Sequence, residues 1–272
     1  MPLEFPLAPV MATVLENRPV APGHFRLRIL APGCAQAARP GQFVHLRVSR
    51  GLSPLLRRPI SIARSHPEAG ELVLLVRHAG AGTQWLGALE AGDQLDLVGP
   101  LGQGFSVPPA GRRLLVAAGG IGIAPLVGAT ACAIQAGAMV TACVGARSAG
   151  LLVGVDELEG LGARVRLATD DGSAGHPGLV TALVREELSR EEYTSLYACG
   201  PVPMLAVVQD LAREYSISTY ISLEQYMACG VGACLGCAVQ AAGSGGYLKV
   251  CRDGPVFCSN QVVLAGLPGG GG

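Results

Sequence analysis

The chain has 272 residues, half of them hydrophobic, with 20 basic and 20 acidic side chains and a net charge of zero. That length allows two domains, or two domains and a small module. The balanced charge gives no electrostatic reason to expect a nucleic acid or an anionic membrane as partner. Lys249 is the only lysine, and its surroundings argue against a Walker-type phosphate lysine or a lysine Schiff base.

The cysteines and the N-terminus bear on the compartment. There are nine cysteines, an odd number, which argues against a secreted disulfide framework. The first twenty residues lack the basic flank and long apolar run of an export signal. We therefore expect a reducing, cytoplasmic location.

The first hundred residues read as short strands separated by glycine and proline turns. The alternating segments are 24–30, 42–48, 60–64, 71–77 and 93–99. A single short helical segment near Trp85 interrupts them. This pattern predicts an antiparallel β-barrel over residues 1–110.

Two motifs in the barrel region are candidates for phosphate binding. In LRRPISIA (56–63), the cations Arg57 and Arg58 precede a proline that stiffens the strand. In HAGAGTQWL (78–86), Gly82 and Thr83 open a helix and could hold phosphate oxygens. Alone, an Arg-Arg-Pro segment would more often be a solvated turn. GPLGQGF (99–105) adds a glycine turn at the end of the barrel.

From about residue 111 the pattern changes to apolar strand segments alternating with helical ones. This alternation predicts a doubly wound, parallel α/β domain over 111–221. No charged residue occurs from 114 to 146, a length that could span a bilayer. Glycines and Pro125 interrupt that run, so we expect a buried strand, a tight turn and a buried helix instead.

Two glycine turns follow strands of this domain. LLVAAGGIGIAPL (114–126) contains Gly119, Gly120 and Gly122 but has Pro125 where a dinucleotide fingerprint would have its third glycine. CGPVPML (199–205) repeats the device with Cys199 and Gly200. Such turns could serve structure alone. Together at the carboxyl ends of parallel strands, they predict a dinucleotide-binding crevice.

The strongest motif lies in the segment 222–272. Cys229, Cys234 and Cys237 have C-x4-C-x2-C spacing and Cys251 follows, as in plant-type 2Fe–2S proteins. The interleaved glycines would let the backbone approach the cluster closely. A structural zinc site is the alternative, and Cys258 could compete with Cys251 as fourth ligand. The remaining single cysteines fit small core residues: Cys34, Cys132, Cys143 and Cys199.

RPIS, G-x-GT, GPLGQGF, GGIGIAPL and CGP occur in the order typical of the ferredoxin–NADP reductase superfamily, which the whole chain resembles. Its cysteine segment with the trailing DGPVF closely resembles the electron-transfer subunits of NAD-dependent dihydroorotate dehydrogenases. The resemblance implies that the four cysteines ligate a 2Fe–2S cluster. It also implies an FAD site formed by Arg58, Pro59, Ile60, Ser61, Leu75, Val76, Arg77, Gly82 and Thr83. Ile60 stands where the superfamily often has tyrosine, and the terminal aromatic residue over the flavin is absent.

This resemblance implies an electron relay in pyrimidine biosynthesis. A partner subunit with FMN would oxidise dihydroorotate, and electrons would pass through the cluster and FAD to NAD+, in an assembly of two copies of each subunit. No catalytic side chain is predicted here. The apolar VGACL and the Val-Phe of GPVF would bury against the partner. The alternatives are a subunit of a ferredoxin- or hydrogenase-linked NAD(P) oxidoreductase and a zinc-binding adaptor.

The choice between NAD and NADP depends on a few charged residues after strands of the α/β region. Asp170 and Asp171 in TDDGS (169–173) would repel a 2′-phosphate and favour NAD. Arg147 argues mildly in the other direction, since it could pair with that phosphate. We expect NAD.

Overall fold

The computed structural model describes residues 8–243 and 245–267. Its N-terminal part forms six strands and two short helices: β1 (Val10–Ala21), β2 (His24–Leu30), α1 (Pro32–Ala37), β3 (Phe43–Leu46), β4 (Arg58–His66), β5 (Glu71–Arg77), α2 (Ala81–Gly87) and β6 (Gln94–Leu101). The strands pair antiparallel and close a barrel in the order β1-β2-β5-β4-β3-β6. The predicted barrel is confirmed.

Alternation of side chains explains the barrel core. Along β2, Leu27 and Ile29 are fully buried inside, while the alternating Arg26 and Arg28 point outward and pair with Glu16. Strand β1 was not among the predicted strands. Its middle, Glu16 to Arg18, is a polar run that hides the alternation of side chains. The strand forms nevertheless because it pairs with both β2 and β6.

The second part alternates strands with helices. Its elements are β7 (Arg113–Gly119), α3 (Ala124–Gln135), β8 (Met139–Ala146), α4 (Val155–Gly160), β9 (Arg164–Thr169), β10 (His176–Pro177), α5 (Val180–Arg190), β11 (Ser195–Cys199), α6 (Val202–Glu214) and β12 (Ser218–Ser222). These strands run parallel in the order β10-β9-β8-β7-β11-β12. The predicted parallel α/β domain is confirmed.

The uncharged run from 114 to 146 forms β7, a 3-10 turn at Gly120–Ile123, α3 and β8. Strand β7 is buried because it lies at the centre of the sheet, between β8 and β11. Among the residues described, no helix has the length and apolar character needed to cross a membrane.

The C-terminal segment contains β13 (Ala238–Gln240), β14 (Tyr247–Lys249) and β15 (Val256–Cys258). The first two form a hairpin, whereas β15 joins the edge of the large sheet antiparallel to β12. Val256 and Phe257 are therefore 7% and 3% exposed. The expectation that this Val-Phe pair contacts a partner is wrong, because the pair packs within its own chain.

Candidate cofactor-binding site

The four predicted cluster cysteines lie together on two loops. The sulfur atoms of Cys229 and Cys234 are 3.3 Å apart. The N–H of Cys251 points at the sulfur of Cys237 (3.5 Å), and the N–H of Gly232 donates to the sulfur of Cys251 (3.2 Å). Folding of the segment thus brings Cys251 back to the loop that carries the other three.

Ionisation of these thiols is tuned by burial and by backbone N–H groups. Burial opposes the thiolate of Cys229, but N–H groups of the loop outweigh burial and lower its pKa to about 6. Burial, together with the neighbouring Cys237 thiol, raises the pKa of Cys251 to about 12. A metal would have to displace the proton of Cys251, as metals bound to cysteine do.

The cysteines form two pairs, Cys229 with Cys234 and Cys237 with Cys251. In residues 8–243 and 245–267, no three His, Cys, Asp or Glu side chains converge on one point where a single metal ion could sit. Two pairs fit a cluster of two irons, each of which takes two thiolates.

The other cysteines lie elsewhere. Cys258 is on β15 opposite Tyr220, and its N–H donates to the side chain of Gln261. Cys34, Cys143 and Cys199 are buried, and Cys132 is partly buried. Burial raises the pKa of Cys34 to about 11 and that of Cys143 to about 12, as for thiols that pack in the core.

The loop that carries Cys229, Cys234 and Cys237 (the cluster loop) is seated on the barrel at β3, the neighbour of β4. A Cβ at Gly230 would overlap the ring of His45, whose strand β3 pairs with β4 at Pro59. His45 is 1% exposed, and burial together with the charge of Arg57 lowers its pKa to about 4, so the ring is neutral. A second contact joins the Gln103 N–H to the Gly254 carbonyl. These contacts place the cysteines beside the predicted FAD strand.

Among the predicted FAD residues, Arg58 and Gly82 meet directly. A Cβ at Gly82 would come within 3.0 Å of the Arg58 Nε, so the glycine leaves room for the guanidinium at the start of α2. The Thr83 hydroxyl accepts N–H bonds from Ala79 and Gly80. It therefore holds the loop in shape, a role the motif did not reveal.

The two neighbouring arginines differ in their partners. Arg57 forms an ion pair with Asp96 in which its Nη2 donates to both carboxylate oxygens (2.9 and 2.8 Å), and its Nη1 donates to the Asp96 backbone carbonyl. Arg58 bonds only the carbonyls of Leu56 and Arg57, and within the described chain it forms no ion pair. Of these two arginines, Arg58 is therefore the one whose charge is available to a ligand.

The other predicted FAD residues occupy adjacent barrel strands. Pro59 and Ser61 are half-buried on β4, and Ile60 is buried between them. On β5, Leu75 and Val76 are buried while Arg77 is half-buried.

The two glycine turns of the α/β domain lie side by side. Gly119 ends β7, and Gly200 follows the adjacent β11, which pairs with β7 up to Cys199. A Cβ at Gly122 would lie 2.7 Å from the Gly200 N, and one at Gly200 would lie 3.1 Å from the Gly119 Cα. Only glycine permits this backbone contact at the carboxyl ends of the strands. The side chain of Cys199 itself is buried.

The charged residues after β8 and β9 are exposed. The Asp171 N–H donates to the Arg147 carbonyl, so the two loops touch. Hydrogen bonds from Ser173 lower the pKa of Asp171. Asp170 follows directly on β9 and is exposed.

Glu224 was not singled out from the sequence. It follows β12, at the same carboxyl end of the parallel strands at which Cys199 ends β11. Solvent reaches its side chain, but the surrounding protein raises the pKa of Glu224 by desolvation, with Arg77 acting in the opposite direction. Burial and then the charge of Glu224 raise the pKa of Cys199. Glu224 is thus near enough to Arg77 of the barrel and to Cys199 for their charges to interact.

Two family models match the chain. Residues 21–105 match an oxidoreductase FAD-binding domain. Residues 224–263 match the iron–sulfur cluster binding domain of dihydroorotate dehydrogenase B.

Relatives named after the same enzyme as the second family model match this chain over nearly its full length. The electron transfer subunit of dihydroorotate dehydrogenase B (NAD+) from Desulforamulus reducens is 41% identical over 254 residues, covering 93% of this chain and 97% of the relative. The subunit from Geobacillus thermodenitrificans is 39% identical over 256 residues, with the same coverage.

Solved structures share the fold. A chain of an NADH-dependent reduced ferredoxin–NADP oxidoreductase, studied for flavin-based electron bifurcation, superimposes with a TM-score of 0.85 at 32% identity, over 95% of this chain and 91% of that one. The Amycolatopsis cytochrome P450 reductase GcoB gives a TM-score of 0.66 at 29% identity, over 76% and 66% of the two chains.

Proposed function

The chain belongs to the family of electron transfer subunits of NAD+-dependent dihydroorotate dehydrogenase B, and from that premise we propose that it carries electrons from a dihydroorotate-oxidising catalytic subunit to NAD+. When bound, the 2Fe–2S cluster supplies single-electron transfer and FAD supplies the exchange between single electrons and hydride. The partner carries FMN, the assembly holds two copies of each subunit, and the complex works in the cytoplasm in pyrimidine biosynthesis.

The observation that carries this proposal is the paired cysteine cradle seated on the barrel beside β4. Cys229, Cys234, Cys237 and Cys251 hold the cluster, and the contact of Gly230 with His45 keeps the cradle next to the flavin residues. Electron transfer between two redox groups requires that the protein hold them close and fixed. The fold achieves this by docking the C-terminal segment on the N-terminal barrel.

We assign the remaining residues by their positions. FAD lies along β4 and β5, where Arg58 binds its diphosphate at Gly82. NAD+ lies over Gly119, Gly120, Gly122, Cys199 and Gly200, with Asp170 and Asp171 favouring it over NADP. Residues 1–110 form the FAD domain, 111–221 the NAD domain and 222–272 the cluster segment.

The partner contacts the exposed side of the cluster loop. Leu235 and Tyr226 are 69% and 81% exposed. Tyr226 lies three residues before Cys229 and Leu235 lies inside the loop, between Cys234 and Cys237, and apolar side chains this exposed beside a redox centre suit contact with a second protein. Burial of this surface would exclude water between the two subunits.

A reconstitution experiment tests the proposed function. The isolated chain with dihydroorotate and NAD+ should form no NADH, while NADH should reduce an artificial electron acceptor readily. Adding a dihydroorotate dehydrogenase subunit that contains FMN should restore NADH formation. Turnover of dihydroorotate by the isolated chain would contradict the proposal.

A second function is supported by the match to the NADH-dependent ferredoxin–NADP oxidoreductase. In this case the electron partner would be a ferredoxin-linked subunit. Failure of the reconstitution with the dihydroorotate dehydrogenase subunit, combined with NADH-dependent reduction of ferredoxin, would favour this second function.

Replacing Arg58 by alanine should weaken FAD binding by about 2–3 kcal/mol, the range for a hydrogen bond to a charged group. This corresponds to roughly 30- to 150-fold in the dissociation constant, measured by flavin fluorescence on dilution. Lysine should substitute poorly because it cannot make a bidentate contact.

Arg50 provides a matched control for Arg58. It lies in the loop between β3 and β4, its side chain is 83% exposed, and it pairs with Asp93. Arg50→Ala should leave FAD affinity unchanged. Full flavin occupancy in Arg58→Ala would show that the diphosphate lies elsewhere.

A further inference from the structure

Lys249 occupies a distinctive place in a chain whose other basic residues, histidine aside, are all arginine. It is the last residue of β14 and stands two positions before Cys251. Its backbone takes part in the turn that carries this cysteine, because the Lys249 carbonyl accepts the N–H groups of Arg252 and Asp253. The only lysine therefore belongs to the turn that delivers the fourth cysteine.

The side chain of Lys249 spans the two loops of the cradle. Its ammonium donates to the carbonyl of Gly232 at 2.6 Å. The N–H of the same glycine donates to the sulfur of Cys251 at 3.2 Å. Gly232 has φ +81°, and a Cβ there would lie 2.8 Å from the Arg252 Cδ. Lys249 thus holds the residue whose N–H faces a ligand sulfur.

The charge of Lys249 is not cancelled by a direct ion pair in the described part of the chain. The nearest acid in the turn, Asp253, accepts the backbone N–H of Lys249 instead (2.7 Å). The Arg252 side chain packs against Gly232 where a Cβ would lie, and it is exposed. The half-buried ammonium therefore places a positive charge at the cluster loop that no direct ion pair within the described residues neutralises.

We propose that Lys249 is a positioning residue that raises the reduction potential of the 2Fe–2S cluster. Reduction adds one negative charge to the cluster, so a nearby fixed cation and N–H donors aimed at its sulfurs stabilise the reduced form. The proposal rests on the proposed function only in requiring the cluster. Lys249 would thus make the cluster accept an electron more readily.

Because the chain has one lysine, chemistry on the cluster-loaded protein can separate its charge from its hydrogen bond. Acetylation removes the charge and leaves one N–H donor, whereas reductive dimethylation keeps the charge and also leaves one N–H donor. Both reagents modify the N-terminal amine too, so the Lys249→Arg protein treated in the same way is the control. The cluster potential is then read by EPR-monitored redox titration.

The equilibrium constant for one-electron reduction of the cluster should be about tenfold smaller in the acetylated protein than in the untreated protein. This corresponds to a reduction potential lower by about 59 mV. The dimethylated protein and Lys249→Arg should stay within about twofold of the untreated value, taking retained charge as the main contribution. Lys249→Met should shift in the same direction as acetylation.

Equal potentials in the acetylated and dimethylated proteins would overturn the proposal and leave Lys249 a structural link only. The deciding measurement is made on the chemically modified protein, which is loaded with its cluster before treatment and so does not depend on cluster assembly in a variant. All these titrations use the isolated holoprotein. Failure of the relay with the catalytic subunit would therefore leave their outcome unaffected.

Discussion

Replacing Cys251 by serine is expected to remove the 2Fe–2S cluster and with it all electron transfer between this chain and its partner. Cys251 is 2% exposed, and its sulfur already accepts an N–H from the loop of the other three cysteines. A serine hydroxyl is a harder, much less acidic ligand than a thiol and suits iron–sulfur clusters poorly. The measurement is iron content together with the EPR signal of the reduced protein.

The matched control is Cys258→Ser. Cys258 is the next cysteine in the chain, but it lies on β15 in the edge of the large sheet. Its replacement should keep a full EPR signal and full iron content. A wild-type signal in Cys251→Ser combined with its loss in Cys258→Ser would reverse our assignment of the fourth ligand.

Substituting Gly230 by alanine should unseat the cluster loop from the barrel. The added Cβ would overlap the ring of His45, which is buried and has little room to move. Overpacking of this kind costs about 1–3 kcal/mol. The backbone at φ +69° adds about 1–2 kcal/mol for a residue that is not glycine. The expected results are a lower unfolding temperature and reduced iron content.

Gly243→Ala separates the two costs of the Gly230 substitution. Gly243 has φ +80°, but a Cβ there meets nothing within 4 Å. Only the backbone cost applies, so its effect should be about half that of Gly230→Ala or less. Equal effects of the two substitutions would mean that the contact with His45 contributes nothing to the seating of the loop.

Much of the fold could be predicted because local patterns coincide with the elements. Strands β2 and β5 match predicted segments residue for residue. Apolar and charged residues alternate from Phe25 to Ile29 in β2, and β5 is an apolar run bounded by Glu71 and Arg77. Strand β15 could not be assigned in this way. Its three residues gain burial only by pairing with β12, more than thirty residues earlier in the chain, and nothing local signals that contact.

For the functional site, too, local sequence patterns predict some features, whereas contacts between distant residues determine the others. Cysteine spacing predicts the cradle because three ligands come from one loop. The roles of Arg57 and Arg58, by contrast, are set by Asp96, which lies on another strand. His45 and Lys249 likewise gain their positions from contacts with Gly230 and Gly232, and a sequence pattern cannot reveal such contacts.

The central claim is that the cluster held by this chain is the required link between the partner subunit and FAD. The most direct test mixes dihydroorotate anaerobically with the assembled complex in the absence of NAD+ and follows flavin absorbance. In the wild-type complex the flavins of both subunits should be reduced. In the Cys251→Ser complex, shown beforehand to retain FAD that NADH can reduce, only the flavin of the catalytic subunit should be reduced. Reduction of FAD by dihydroorotate at the wild-type rate in that variant would contradict the claim.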